Sequence, residues 1–439
     1  MRAIPPTSVA SRQHIFFFDL ALFSPSSACI MKEASALSDD PAFWKGRMMR
    51  DTGRIRVLRE RSEDEARVTS AELFFDLVYV FAVTQLTRYL LAHLSLRGAG
   101  ETLLLLLAVW LAWNSTGWTT NYFDPDTLPV RLMLMGVMLV SLIMSVSLPE
   151  AFGDRGPGFA WAFVVIQIGR TLFALAALGR RNVLRLIYLR VLVWWSISGL
   201  LWLAGALMHE DIRIIIWAAA VTMDYVIEWC GFPVPGLGRS RTADYTIVGG
   251  HLAERCEQFV IIALGESIVD IGISFAEQPS AAATVAGFAV AFITSVALWW
   301  IYFDREAQAG RQVISATADP GRLGVSAYTY FHIPMVAGII AVAGAFELTI
   351  THPTEQASAA LTILILGGLA LYLFGNALFR RALWNYMPWS RLVAIVVLVA
   401  LVPLTIILSA LLLLTLATLI LVALGLWDVS AAHMKLRAP

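Results

Sequence analysis

The chain reads as an all-α polytopic membrane protein. Three observations predict that class. Of its 439 residues, 58% are hydrophobic and only 15% charged, against about 25% charged in a typical soluble domain. Apolar windows of about 20 residues, the length that crosses a bilayer as a helix, recur from residue 70 onward. These runs are continuous rather than alternating, which argues against a membrane β-barrel. Mean hydropathy is +0.71.

Twelve spans are expected, at 70–94, 101–122, 130–149, 158–179, 184–208, 212–230, 251–275, 282–303, 325–350, 358–379, 391–407 and 409–427. The first and seventh open on acidic motifs. The second and eighth end on Tyr-Phe-Asp, and the fourth runs into Gly179-Arg180-Arg181. His332 precedes Pro334 in the ninth, so a kink is expected there. The last two form one apolar run of 37 residues, broken only by Pro403 and Ser409. That is too long for one crossing, so it predicts a tight hairpin.

Lys and Arg in the short loops set the orientation. A basic stretch from Lys45 to Arg67 precedes the first span. With that end inside, the inner loops hold Arg131, Arg180, Arg181, Arg185, Arg239, Arg241, Arg305, Arg311, Arg322, Arg380, Arg381 and Arg391. The outer loops hold only Arg97, Arg155 and Arg213. Both termini are therefore expected on the cytoplasmic side of a plasma (inner) membrane.

Residues 1–66 are rich in Ser, Pro and charge. They read as a disordered cytoplasmic extension, with Met31 and Met48 as alternative starts. Residues 67–250 form a first six-helix half and 251–439 a second, with a short cytoplasmic tail. The halves echo each other. Glu72 lies 52 residues before Asp124, and Glu254 lies 50 before Asp304. Halves with an even number of spans share one orientation, so the repeat is expected to be parallel. Many transporters place their sites at such repeat interfaces.

Ionisable groups inside spans are the functional candidates, because they are expensive in hydrocarbon. Glu72 and Asp76 are four apart and share a helical face with Tyr79, Val83 and Thr87. In the seventh span, His251, Glu254, Arg255, Gln258, Gly265 and Glu266 project on one side. Glu254 and Arg255 are expected to neutralise each other or nearby partners. Glu266 lies about 22 Å into its helix at 1.5 Å per residue, deep enough to serve as a proton carrier. Gly265 beside it is expected to allow close helix approach or a local break. Arg170 lies mid-span and needs a partner, with Glu266 or Asp76 the candidates. Asp224, Glu228, His332 and Glu347 complete the set.

The remaining signals are mostly negative. Net charge is zero, so no nucleic-acid partner is expected. Cys29, Cys230 and Cys256 give neither a disulfide framework nor a metal motif. No cofactor, metal, phosphate-binding glycine loop or catalytic serine motif is expected, and the loops are too short for a catalytic domain. The expected partners are the lipid bilayer and a small solute or ion, with self-association into a homo-oligomer left open.

The segments Glu72-Leu-Phe-Phe-Asp-Leu-Val-Tyr-Val-Phe-Ala-Val-Thr-Gln-Leu, Asn121-Tyr-Phe-Asp-Pro125 and His251-Leu-Ala-Glu-Arg, continuing to Leu264-Gly-Glu-Ser267, resemble the bacterial low temperature requirement protein A family. The resemblance spans about residues 68 to 430. The chain departs from the family pattern at Cys256-Glu257-Gln258 and after Asp224-Tyr225. The family name records growth in the cold and implies no molecular activity. Phe75-Asp76 and the residues after it are also similar to the first-helix signature of an unconventional potassium channel family, although Phe75 replaces its Ser. A transporter or channel for a small solute or ion, proton-coupled through buried carboxylates, fits best. The alternatives are a sensor or structural protein in cold or envelope stress, and a membrane-embedded enzyme acting on lipids or isoprenoids.

Overall fold

The computed structural model describes residues 57–59, 67–179, 182–245, 247–304 and 306–437, without the side chains of 306 and 431–437. Most of the N-terminal extension, with Cys29, Met31 and Met48, lies outside the described residues, as do Arg180, Arg181 and Arg305.

Each expected span is helical. The helices are α1 (Ser70–Ala92), α2 (Leu96–Tyr122), α3 (Leu128–Ser147), α4 (Gly156–Ala177), α5 (Val183–Ala206) and α6 (Glu210–Trp229), then α7 (Gly249–Ala276) and α8 (Ala282–Phe303). A short helix, α9 (Glu306–Ala316), precedes α10 (Pro320–Thr351), α11 (Ala359–Trp384), α12 (Trp389–Ala400) and α13 (Ala410–Arg437). Only isolated β-bridges occur among the described residues.

Eleven helical segments are long and apolar enough to cross a membrane. The exception is α6, which carries Glu210, Asp211, Arg213, Asp224 and Glu228. It still runs antiparallel beside α5. Arg213 near its start donates to the Ala206 and Met208 carbonyls at the end of α5, and Arg190 in the first third of α5 donates to Ser240 beyond α6.

Two sets of connections are tied together. Arg97 in the first turn of α2 pairs with Glu210 and Asp211 in the first turn of α6, and Arg213 also donates to Ala151 and Gly153 between α3 and α4. The backbone links Glu355 to Ala410 and Ala357 to Leu408, joining the α10–α11 turn to the α12–α13 turn. That last turn is the expected hairpin. Pro403, which cannot continue a helix, sits in a tight turn over Val402–Ile406 between α12 and α13.

The ninth span departs from regular geometry. Residues Gly324–Tyr330 form a widened, π-type helical turn just before His332. Pro334 lacks the amide that would bond the Tyr330 carbonyl, so the expected irregularity falls here. Three α2 side chains hold the turn: Trp110 Nε1 donates to Thr329 O at 2.8 Å, while Asn114 and Trp118 donate to Thr329 Oγ1. α10 and α11 touch through glycine. A Cβ on Gly338 would lie 2.5 Å from the Gly368 carbonyl oxygen, so only glycine permits this approach.

α9 was not expected from hydropathy. Ile314 buries one face of it, and Arg311 pairs with Glu257 of α7. Elsewhere Leu77, Ile215 and Val396 face outward, as lipid-facing side chains do.

Candidate functional site

α1 and α7 lie in contact. The expected stripe on α1 is buried: Glu72, Asp76, Tyr79, Val83 and Thr87 are all turned inward. Ionisable groups cluster at both ends of this seam.

At one end Asp76 and Arg255 form a two-pronged pair. Arg255 Nη1 donates to Oδ2 at 2.6 Å and Nη2 to Oδ1 at 2.8 Å, the planar match that guanidinium offers a carboxylate. Trp113 Nε1, from α2, donates to Oδ1 at 2.8 Å. Arg255 also lies over the Trp113 and Phe75 rings, 5.4 and 5.8 Å from their centroids, in cation–π geometry. Asp76 is 2% exposed and Arg255 fully buried. Burying an ion costs several kcal/mol unless partners compensate it. Here the carboxylate has donors on both oxygens.

One turn earlier sits Glu72. Its Oε2 accepts from Thr69 N at 3.0 Å, completing a capping box that starts α1, and from Arg59 Nη2 at 3.3 Å. Its Oε1 accepts from His251 Nε2 at 2.8 Å. Asn121 at the end of α2 decides the imidazole tautomer. Asn121 Oδ1 accepts from Val248 N and Nδ2 donates to Val248 O, which fixes the amide orientation. Nδ2 also faces His251 Nδ1 at 3.1 Å. The network therefore assigns Nδ1 as acceptor and puts the ring proton on Nε2, toward Glu72.

Glu254 and Arg255 do not neutralise each other, because Arg255 is taken by Asp76. Glu254 instead accepts from the Val68 amide at 3.3 Å. Side chains of adjacent helical residues diverge, so the two point to different partners.

Beyond the ion pair the seam is aromatic. Phe259 packs on Trp113, Trp110 and Tyr79 at centroid distances of 4.5, 5.0 and 6.3 Å. Further along lies Glu266, 2% exposed, with neither carboxyl oxygen hydrogen-bonded. Its charged and polar neighbours are Thr84 and Arg88 of α1 and Asp270 of α7. Glu347 of α10 faces Asp270 and Arg88 as well. Gly265 provides neither close approach nor a break: a Cβ there would meet nothing within 4 Å, and α7 is continuous.

Arg170 is not part of the seam. It donates to Gln167 Oε1 at 2.6 Å, Thr116 Oγ1 at 3.1 Å and the Ala112 carbonyl at 3.4 Å. Neither Asp76 nor Glu266 is its partner, since the Asp76 oxygens are committed to Arg255 and Trp113. It lines a separate cavity of about 80 Å³ among α2, α4, α5 and α6. His332 is also elsewhere. Its Nδ1 donates to Ala327 O at 2.9 Å, its Nε2 accepts from Tyr302 at 2.8 Å, and its ring stacks on Trp110 and Tyr328. Asp124 accepts from the Asp126 amide in a turn, and Asp304 ends α8. The described residues contain no group of three or more His, Cys, Asp or Glu placed to hold a metal.

Trp113 and Asp270 were not singled out from the sequence, and Asn121 and Thr84 entered only as members of the resemblance motifs. Asp270 had a usable signal, since it lies one turn beyond Glu266 on the same face. Trp113 looks like any apolar span residue. Its role depends on which helix faces it.

The model of the family described as bacterial low temperature requirement A protein (LtrA) matches residues 67–426. An uncharacterized protein of Rhizobium meliloti (strain 1021) is 35% identical over 344 residues, covering 78% of this chain and 84% of that protein. No solved structure matches. The chain is thus a multi-pass membrane protein that belongs to the bacterial low temperature requirement A family.

Proposed function

We propose that the protein is a proton-coupled transporter or channel for a small solute or ion in the bacterial plasma membrane. Twelve crossings form two parallel six-span halves, with both termini in the cytoplasm. Neighbour relations favour the repeat. α1 packs on α3 as α7 packs on α10, and α3–α4 and α4–α5 correspond to α10–α11 and α11–α12.

The observation that carries this reading is the α1–α7 seam. It joins the first spans of the two halves, and transporters commonly place their sites at such an interface. An ion lattice closes one end, aromatic rings fill the middle, and at the other end a buried carboxyl has no hydrogen bond. Glu266 is then the proton carrier and the Asp76–Arg255 pair the closed gate.

The test is proton flux in liposomes with an internal pH-sensitive dye, under an imposed pH gradient or membrane potential. Wild-type protein is expected to pass protons, and Glu266→Gln to insert normally but lose the flux. Absence of any proton, ion or solute movement under any gradient overturns the proposal. The charge-matched lattice alone favours a second reading, a structural or sensing membrane protein, and that reading predicts no flux at all.

A further inference from the structure

The Arg170 cavity lies outside the α1–α7 seam and has its own chemistry. Arg170 is 3% exposed and makes no ion pair, so only neutral oxygens solvate its charge. A guanidinium buried among apolar helices is costly without an anion. The acid that lines the cavity is Glu228 of α6, which acts on Arg170 electrostatically but does not pair with it. Glu228 Oε2 is shielded from solvent and has no hydrogen-bond partner. Trp195 Nε1, on the same wall and 4% exposed, is also unpartnered. The rest of the lining is largely apolar, including Ile187, Val191 and Phe232. Tyr122 and Leu184 are shared with a wider cavity of about 490 Å³ beside Asn182 and Asp244 at the helix ends.

A buried cation and a half-buried acid with one shielded oxygen in one cavity, held apart rather than in contact, constrain the occupant. A simple anion would satisfy Arg170 and leave its charge facing Glu228. A simple cation would do the reverse. A ligand carrying both charges satisfies both groups and adds no net charge to a low-dielectric site.

We propose that this cavity binds a small zwitterion with an apolar body, of the amino-acid type. Its carboxylate sits on Arg170 with Trp195 Nε1 as second donor, its cationic nitrogen lies at Glu228, and its apolar part rests on Ile187, Val191 and Phe232. This inference goes beyond the transport reading and does not rest on it, because equilibrium binding needs no gradient.

The experiment uses the full chain in detergent, with thermal stabilisation as readout, since a ligand that binds only the folded state raises Tm. The probes are L-leucine, L-phenylalanine and glycine betaine. The controls are 4-methylpentanoate and 3-methylbutylamine, which are leucine without its amine and without its carboxylate. At least one zwitterion is expected to raise Tm saturably, with both single-charge analogues at least tenfold weaker. Glu228→Gln is expected to weaken the zwitterion at least tenfold and to reverse the preference toward 4-methylpentanoate. Trp195→Phe keeps the fold testable where Arg170→Gln fails to fold, and is expected to weaken binding several-fold. The proposal is overturned if no zwitterion shifts Tm, or if 4-methylpentanoate matches leucine on wild-type protein. Binding without flux refutes transport and leaves this site standing.

Discussion

The two ends of the α1–α7 seam are built from the same residue types on the same two helices, yet they are opposites. At one end Asp76, Glu72, Arg255 and His251 are each matched by partners of the right charge or donor type. At the other, Glu266 is equally buried and has no hydrogen bond. Burial of a carboxyl alone therefore does not mark function. A matched ion holds helices in register, whereas an unmatched one destabilises the fold and needs another reason to be there.

The largest expected effect breaks the matched end. Arg255→Ala leaves Asp76 buried and uncompensated, which costs about 3–5 kcal/mol. The outcome expected is a large fall in melting temperature, or loss of the monodisperse peak in gel filtration. Removing both charges sharpens the point. Asp76→Asn with Arg255→Leu should recover part of that stability, since no lone ion remains. If the double variant melts below Arg255→Ala, the pair is not a compensated unit.

A smaller loss is expected from Asn121→Ala. It strips partners from the Val248 amide and carbonyl and frees the His251 ring, at about 1–3 kcal/mol for the groups left unsatisfied. Chemical shifts of ¹⁵N-labelled His251 should then report a change of tautomer. An unchanged His251 spectrum would remove Asn121 from the account of that ring.

Much of this was legible in the sequence and some was not. The spans follow from hydropathy, and the Pro403 break from one residue that cannot continue a helix. Glu72, Asp76, His251, Arg255 and Glu266 follow from the cost of charge in hydrocarbon. Their pairing does not, because Asp76 and Arg255 are 179 residues apart and only helix packing decides which faces meet. The same ignorance assigned Arg170 to Asp76 or Glu266, though it lines a different cavity. α9 escaped because an eleven-residue amphipathic helix lies below the length that hydropathy detects.

The smallest expected effect is also the most direct test of the contrast between the two ends: thermal denaturation of Glu266→Gln beside wild type. The Glu266 carboxyl oxygens meet no donor in hydrogen-bond geometry and lie beside the Asp270 carboxyl, so the melting temperature should stay the same or rise. A fall comparable to that of Arg255→Ala would mean that Glu266 is structurally matched after all, and would contradict the distinction between the two ends.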